Sequence, residues 1–165
     1  MEGSVPAGWE NFLVAVAGAA GALAGLVFVA LSINLAPILE SPGVASRAGE
    51  TILLLAGSLV GSLLALMPFP SVRWLGLIVL AVGVPTWSIS TSIQIQALRQ
   101  GHYQRLAYSI LRLLLQQVAT VPFLLAGLSL QGLFGGGMYW FAAALVLSLV
   151  VALVNAWVLL VEILR

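Results

Sequence analysis

Residues 86–96 read T-W-S-I-S-T-S-I-Q-I-Q. Ser, Thr and Gln carry hydroxyls and carboxamides, groups that both donate and accept hydrogen bonds without bearing charge. Such groups can bridge helices or take the place of a solute's hydration shell. From Thr86 to Gln96 a polar residue stands at every second position, the period of a strand. An isolated strand cannot satisfy its backbone in apolar surroundings, so the segment is expected to be helical. At ~100° per residue, Ser88, Thr91, Ser92, Gln96 and Arg99 gather on one arc, and Thr86, Ser90 and Gln94 form a second, thinner band. A matching pattern follows, with Arg105, Ser109, Arg112, Gln116 and Thr120 at three- and four-residue spacing. Glu50 is the candidate ion-pair partner of Arg112.

The remaining chemistry is sparse. The chain has no Cys and a single histidine, His102, in the short G-H-Y loop. Asp is absent altogether. No metal site, haem ligation, acidic pair or nucleophile–base set can be assembled from these residues, so neither a cofactor nor an enzyme is expected. A proton-coupled transporter would want a carboxylate or His at mid-membrane, and none is read there. A net charge of +1 without a basic tract gives no footprint for nucleic acid.

The elements that carry the polar residues come from the hydropathy. The chain has 165 residues, is 62% hydrophobic and 7% charged, and has a mean hydropathy of +1.16. Soluble domains carry roughly 25% charged residues. Spanning helices need about 20 apolar residues. Stretches at residues 12–35, 50–67, 74–95, 106–130 and 138–163 qualify, with Pro- and Gly-containing breaks between them. The start, Met1 to Glu10, lacks the positive charge of a signal peptide, so the first stretch is expected to stay as a span. The expected architecture is a single all-α membrane domain over residues 1–165, a bundle of five transmembrane helices. Arg47, Arg99, Arg105, Arg112 and Arg165 fall on one side and Arg73 on the other, which places the N-terminus outside and the C-terminus in the cytoplasm. Trp9, Trp74, Tyr139 and Trp140 would form the outer aromatic belt.

Small residues mark where helices approach. Gly18, Gly21 and Gly25 share a face of the first helix, and Gly57 and Gly61, flanked by Ser58 and Ser62, share one of the second. Ala144, Ser148, Ala152 and Ala156 do the same in the last. Three such faces serve either packing within one bundle or assembly into a homo-oligomer.

Depth separates the two halves. Ser32, Asn34, Glu50, Gln94, Gln96, Arg99, Arg112, Gln116 and Asn155 all fall in the cytoplasmic half, and the outer half is nearly apolar. Three readings stay open for this polar half. The groups bond between helices. They line a conduit, with Ser88, Thr91, Ser92, Gln96, Arg99, Arg112 and Gln116 as its wall. Or the Arg cluster binds anionic lipid headgroups at the inner leaflet, or an acidic segment of a partner.

The first span begins W-E-N-F and continues A-G-A-A-G-A-L-A-G-L-V-F-V-A-L-S-I-N-L, followed by P-G-V-A-S-R-A-G-E-T. It resembles a group of small bacterial integral membrane proteins, some labelled modulator of FtsH protease, over residues 9–67. The resemblance implies the bacterial cytoplasmic membrane and a non-catalytic partner of a larger membrane complex; it assigns no site residue. The reading of the residues themselves favours a homo-oligomeric ion channel or small-solute conduit.

Overall fold

The computed structural model describes residues 8–99 and 106–163. Gly101, His102, Tyr103, Arg105 and Arg165 lie outside the described residues, and so do the readings that fell on them. The regular elements are helices: α1 Glu10–Ile33, α2 Leu35–Glu40, α3 Pro42–Ala65, α4 Val72–Arg99, α5 Leu106–Leu130 and α6 Gly137–Ile163. Five of them are long and apolar enough to cross a membrane, which supports a membrane protein with transmembrane helices.

The largest departures from the hydropathy reading lie between the first two spans; helix α4 also runs four residues past the expected 95, to Arg99. The run L-A-P-I-L-E, expected as loop, forms the short helix α2 after a break at Asn34. Asn34 donates its Nδ2 to the Ala30 carbonyl at 2.9 Å and accepts the Ile38 amide at 3.2 Å, so it serves both helix ends. Helix α3 begins at Pro42 rather than Glu50. Pro42 stands where a helix needs no amide hydrogen. The Ser41 carbonyl accepts the Val44 and Ala45 amides, each at 3.0 Å. Pro-Gly here starts a helix instead of breaking one, and the extra turns place Arg47 in the interior.

Helices α3, α4, α5 and α6 form a ring in which each packs on the next, and α6 closes back on α3. Helix α1 lies outside that ring, mainly against α3, and is the least covered of the five. In consequence α3 and α5 run parallel on opposite sides of the bundle axis. At one end Trp9 and Tyr139 stack edge-on at 5.1 Å, within a core that includes Leu13, Ala65, Leu75, Phe123 and Phe141. At the other end Ile38, Ala48 and Leu159 pack together.

The closest helix approach is between α4 and α5. A Cβ at Gly83 would sit 2.7 Å from the Phe123 Cβ, and one at Gly76 would sit 3.1 Å from the Gly127 carbonyl oxygen. A Cβ at Gly127 would run into Leu80. Of the glycines expected to pack, Gly57 faces Thr86 (3.1 Å) and Gly61 faces Phe141 (3.6 Å). Gly21 reaches only Leu59, at 3.8 Å, while Gly18 and Gly25 have nothing within 4 Å. The α1 glycine face therefore does little within this bundle, because α1 sits outside the ring.

Candidate functional site

Two contacts fix the register of α3 against α5. Glu50 meets Arg112, and Gly61 approaches Phe123, the partners being 62 residues apart in each pair. Level with one another across the axis are therefore Leu54 and Gln116, and one turn further Ser58 and Thr120. The contact of Gly83 with Phe123 sets antiparallel α4, so Ser90 lies level with Gln116. Ser148 donates to the Ala119 carbonyl at 3.1 Å, which sets α6 and puts Asn155 near the level of Arg112.

The polar side chains of these four helices stack along the axis in levels. The first level is charged. The Arg112 Nη2 lies 2.9 Å from the Glu50 Oε1, and the Arg112 Nε donates to the Glu50 Oε2 at 3.2 Å. Gln94 donates its Nε2 to the same Oε2 at 3.3 Å, and the Arg112 Nη2 also donates to the Ser46 Oγ at 3.1 Å. Glu50 is fully buried, and Arg112, Gln94, Arg47 and Asn155 are nearly so. The two-point guanidinium–carboxylate contact has the geometry that makes an ion pair tolerable away from water.

The next level holds Gln116 and Ser90, and the third Ser58, Thr86, Thr120 and Ser148; all are buried. Ser90, Thr86 and Thr120 donate to carbonyls one turn back in their own helices, at 2.7, 2.7 and 2.8 Å. Such back-bonding uses the hydroxyl proton and leaves oxygen lone pairs facing the axis. Gln116 cannot do this. Neither its Nε2 nor its Oε1 has a partner among the described residues, and the same is true of the Ser58 Oγ, the Ser62 Oγ and the Gln94 Oε1. An unmet buried polar group costs about 1–3 kcal/mol. About one turn past Ser58 the axis closes: Phe123 and Phe141, both buried, meet edge-on at 6.0 Å.

The residues read as a conduit wall do not share one surface. Arg112 and Gln116 face the axis. Ser92, Gln96 and Arg99 are exposed on the outside of α4, and Ser88 and Thr91 are half-buried at its flank. The wider arc of α4 points outward and the thinner band points in. The outward hydroxyls tolerate that position because the helix itself satisfies them: Ser88 donates to the Pro85 carbonyl at 3.2 Å and Ser92 to the Ser88 carbonyl at 2.7 Å. Thr91 accepts the Gln117 Nε2 at 3.2 Å, and the Gln117 Oε1 accepts the Trp87 indole at 2.8 Å, a seam between α4 and α5 off the axis. Arg47 and Arg112 are buried, so of the arginines read as a headgroup cluster only Arg99 is an exposed one among the described residues.

Sequence reasoning left Ser58, Thr86, Ser90, Gln94, Thr120 and Ser148 out of the site. The signal for three of them was the four-residue spacing of Thr86, Ser90 and Gln94. Among the described residues no His, Cys, Asp and Glu side chains gather as a metal site requires. Two clefts flank α1, and both are apolar. A groove of about 410 Å³ is lined by Phe28, Leu31, Ile38, Ala48 and Ile52, and a cavity of about 80 Å³ by Val27, Asn34 and Leu160. Neither is lined by an axis residue.

No protein-family model, curated protein or solved structure matches the chain. Its function is therefore read from the axis itself.

Proposed function

We propose that this chain is a non-enzymatic, multi-pass protein of the cytoplasmic membrane and a conduit for an ion or small solute, entered from the cytoplasm. One observation carries the reading. The polar side chains of four helices converge on a single axis, and two of them, Gln116 and Ser58, are buried without a partner among the described residues for the atoms they present there. Interhelical bonding alone would use those atoms up. The orientation rests on the arginines: Arg47, Arg99 and Arg112 stand at one end of the bundle and Arg73 at the other, so the charged level faces the cytoplasm. The Phe123–Phe141 contact is then the outer closure.

The axis belongs to one protomer, so the reading does not need the homo-oligomer that the glycine faces led us to expect. Purified protein in liposomes should pass a small solute or ion faster than empty liposomes do. Phe141→Leu, which thins the closure, should raise that rate. A rate equal to that of empty liposomes for ions and small solutes alike would sink the proposal.

A second reading, an accessory subunit of a larger membrane complex, is favoured by α1. This helix has most of its surface free, and added side chains at Gly18 and Gly25 would meet nothing. It predicts recovery of a larger complex after gentle solubilisation, and loss of that complex in Gly25→Leu. Recovery of the chain with itself alone counts against it.

A further inference from the structure

We infer that the middle of the axis, at Gln116 with Ser58 and the Gln94 carbonyl, is a binding station for a small uncharged solute that both donates and accepts hydrogen bonds. The inference rests on the conduit reading and names what passes.

The argument is one of matching groups. Past the charged level, α3 carries no ionisable residue from Thr51 to its end, and α5 none from Leu113 to its end. In α4 the only ones are Arg73 and Arg99, at its two ends, and α6 has none from Gly137 to Val161 apart from the phenol of Tyr139 in its first turn. What faces the axis there is amide and hydroxyl. Gln94 gives its Nε2 to the Glu50 carboxylate, so its Oε1 is left as an acceptor. Gln116 presents a donor nitrogen and an acceptor oxygen, neither with a partner among the described residues, on a side chain only 1% exposed. Ser58 presents a hydroxyl that can turn either way, and it is fully buried.

A cation stripped of its water needs a shell of oxygens alone. The Gln116 Nε2 opposes that, and the Arg112 guanidinium lies one turn away on the same helix. A bare anion needs donors around it, and the Gln94 and Gln116 carbonyl oxygens oppose that. Water, urea-like amides and small polyols meet both kinds of group at once. The charged level that precedes the station holds Glu50 and Arg112 locked together, so it presents an incoming ion with charges of both signs.

The test uses the full chain in vesicles of phosphatidylethanolamine and phosphatidylglycerol. Stopped-flow light scattering after an osmotic step reads water, urea and glycerol; ion-sensitive dyes read H⁺, K⁺ and Cl⁻. At least one of the uncharged probes should cross faster than in empty vesicles, while the three ions stay at the empty-vesicle rate. Gln116→Leu should return that probe to the empty-vesicle rate. Ser58→Ala, a smaller change that keeps the packing, should lower it, and Ser92→Ala on the outside of α4 should leave it unchanged. Ion flux with all uncharged probes at the empty-vesicle rate overturns the inference and leaves the conduit standing. No flux of any probe removes the conduit reading itself. An uncharged flux that survives both Gln116→Leu and Ser58→Ala moves the station elsewhere and overturns its assignment.

Discussion

The two polar faces of α4 have nearly the same composition and opposite surroundings. Thr86, Ser90 and Gln94 are buried on the bundle axis, while Ser92, Gln96 and Arg99 are exposed. Both faces use the same device for their hydroxyls, a bond to a carbonyl within their own helix. A serine or threonine on a helix is thus nearly neutral as to where it points. The residues that discriminate are the amides and charges, which cannot be satisfied by the preceding turn. Gln94 finds Glu50, itself paired with Arg112, across the axis. Gln96 and Arg99 stand at the end of a ~42 Å helix, longer than the ~30 Å hydrocarbon layer, so in a membrane they would reach headgroups and water.

The sharpest test of this contrast is to remove a charge from each side. Arg112→Leu takes both guanidinium bonds from the Glu50 carboxylate and leaves it buried. The penalty of that uncompensated charge exceeds what the ion pair itself contributes. The expected cost is about 3–5 kcal/mol, read from thermal unfolding in detergent. Arg99→Leu should change stability by less than about 0.5 kcal/mol. Combining Glu50→Leu with Arg112→Leu should recover most of the loss, because the stranded carboxylate is gone as well. Equal costs for Arg112→Leu and Arg99→Leu would break the distinction between the faces.

The glycines offer the same comparison one step down in size. Gly83→Ala forces a methyl to within 2.7 Å of the Phe123 Cβ, and Gly127→Ala forces one into Leu80. Overpacking of this kind costs about 1–3 kcal/mol. Gly25→Ala adds a methyl where nothing lies within 4 Å, and in a helix Ala is better than Gly by up to about 1 kcal/mol. It should therefore be neutral or stabilising by the same unfolding measurement. A large loss at Gly25 would mean that a second molecule already covers α1 in detergent.

How much of this is readable from the residues alone follows from the same physics. Apolar length yields five spans, because a membrane-length helix needs little else. The pairing of Glu50 with Arg112 is readable as charge balance, since each is expensive alone. Which band of α4 faces inward is not. Polarity as the guide selects the richer arc of Ser88, Ser92, Gln96 and Arg99. Self-bonded hydroxyls make polarity a poor measure of burial, and the snorkelling end of a long helix makes it poorer. The ring order of the helices is also hidden. It depends on Gly76 and Gly83, two turns apart on one face of α4, and on Gly127 of α5, which matter only because α4 lies on α5. Reading Pro42 and Gly43 as a break shortens α3 and conceals that Arg47 is an interior residue.

The smallest expected effect is the most telling about the axis, because its sign differs between a wet and a dry interior. The Ser58 hydroxyl is fully buried and has no protein partner among the described residues. If the level it shares with Thr86 and Thr120 were dry, Ser58→Ala would remove an unmet polar group and raise stability by about 1 kcal/mol or more. If water reaches it, the hydroxyl is already bonded, and its removal costs about 0.5–1.5 kcal/mol, the net worth of an ordinary hydrogen bond. The conduit requires the second sign. Ser92→Ala provides the baseline, since that hydroxyl bonds its own helix and faces outward. It should stay within about 0.5 kcal/mol of the wild type under either condition. Subtracting the two changes removes the common helix-propensity gain of Ser to Ala, so the residual sign at Ser58 belongs to the axis alone. A stabilising residual would turn the polar ladder back into a dry packing layer and leave the membrane bundle without a path.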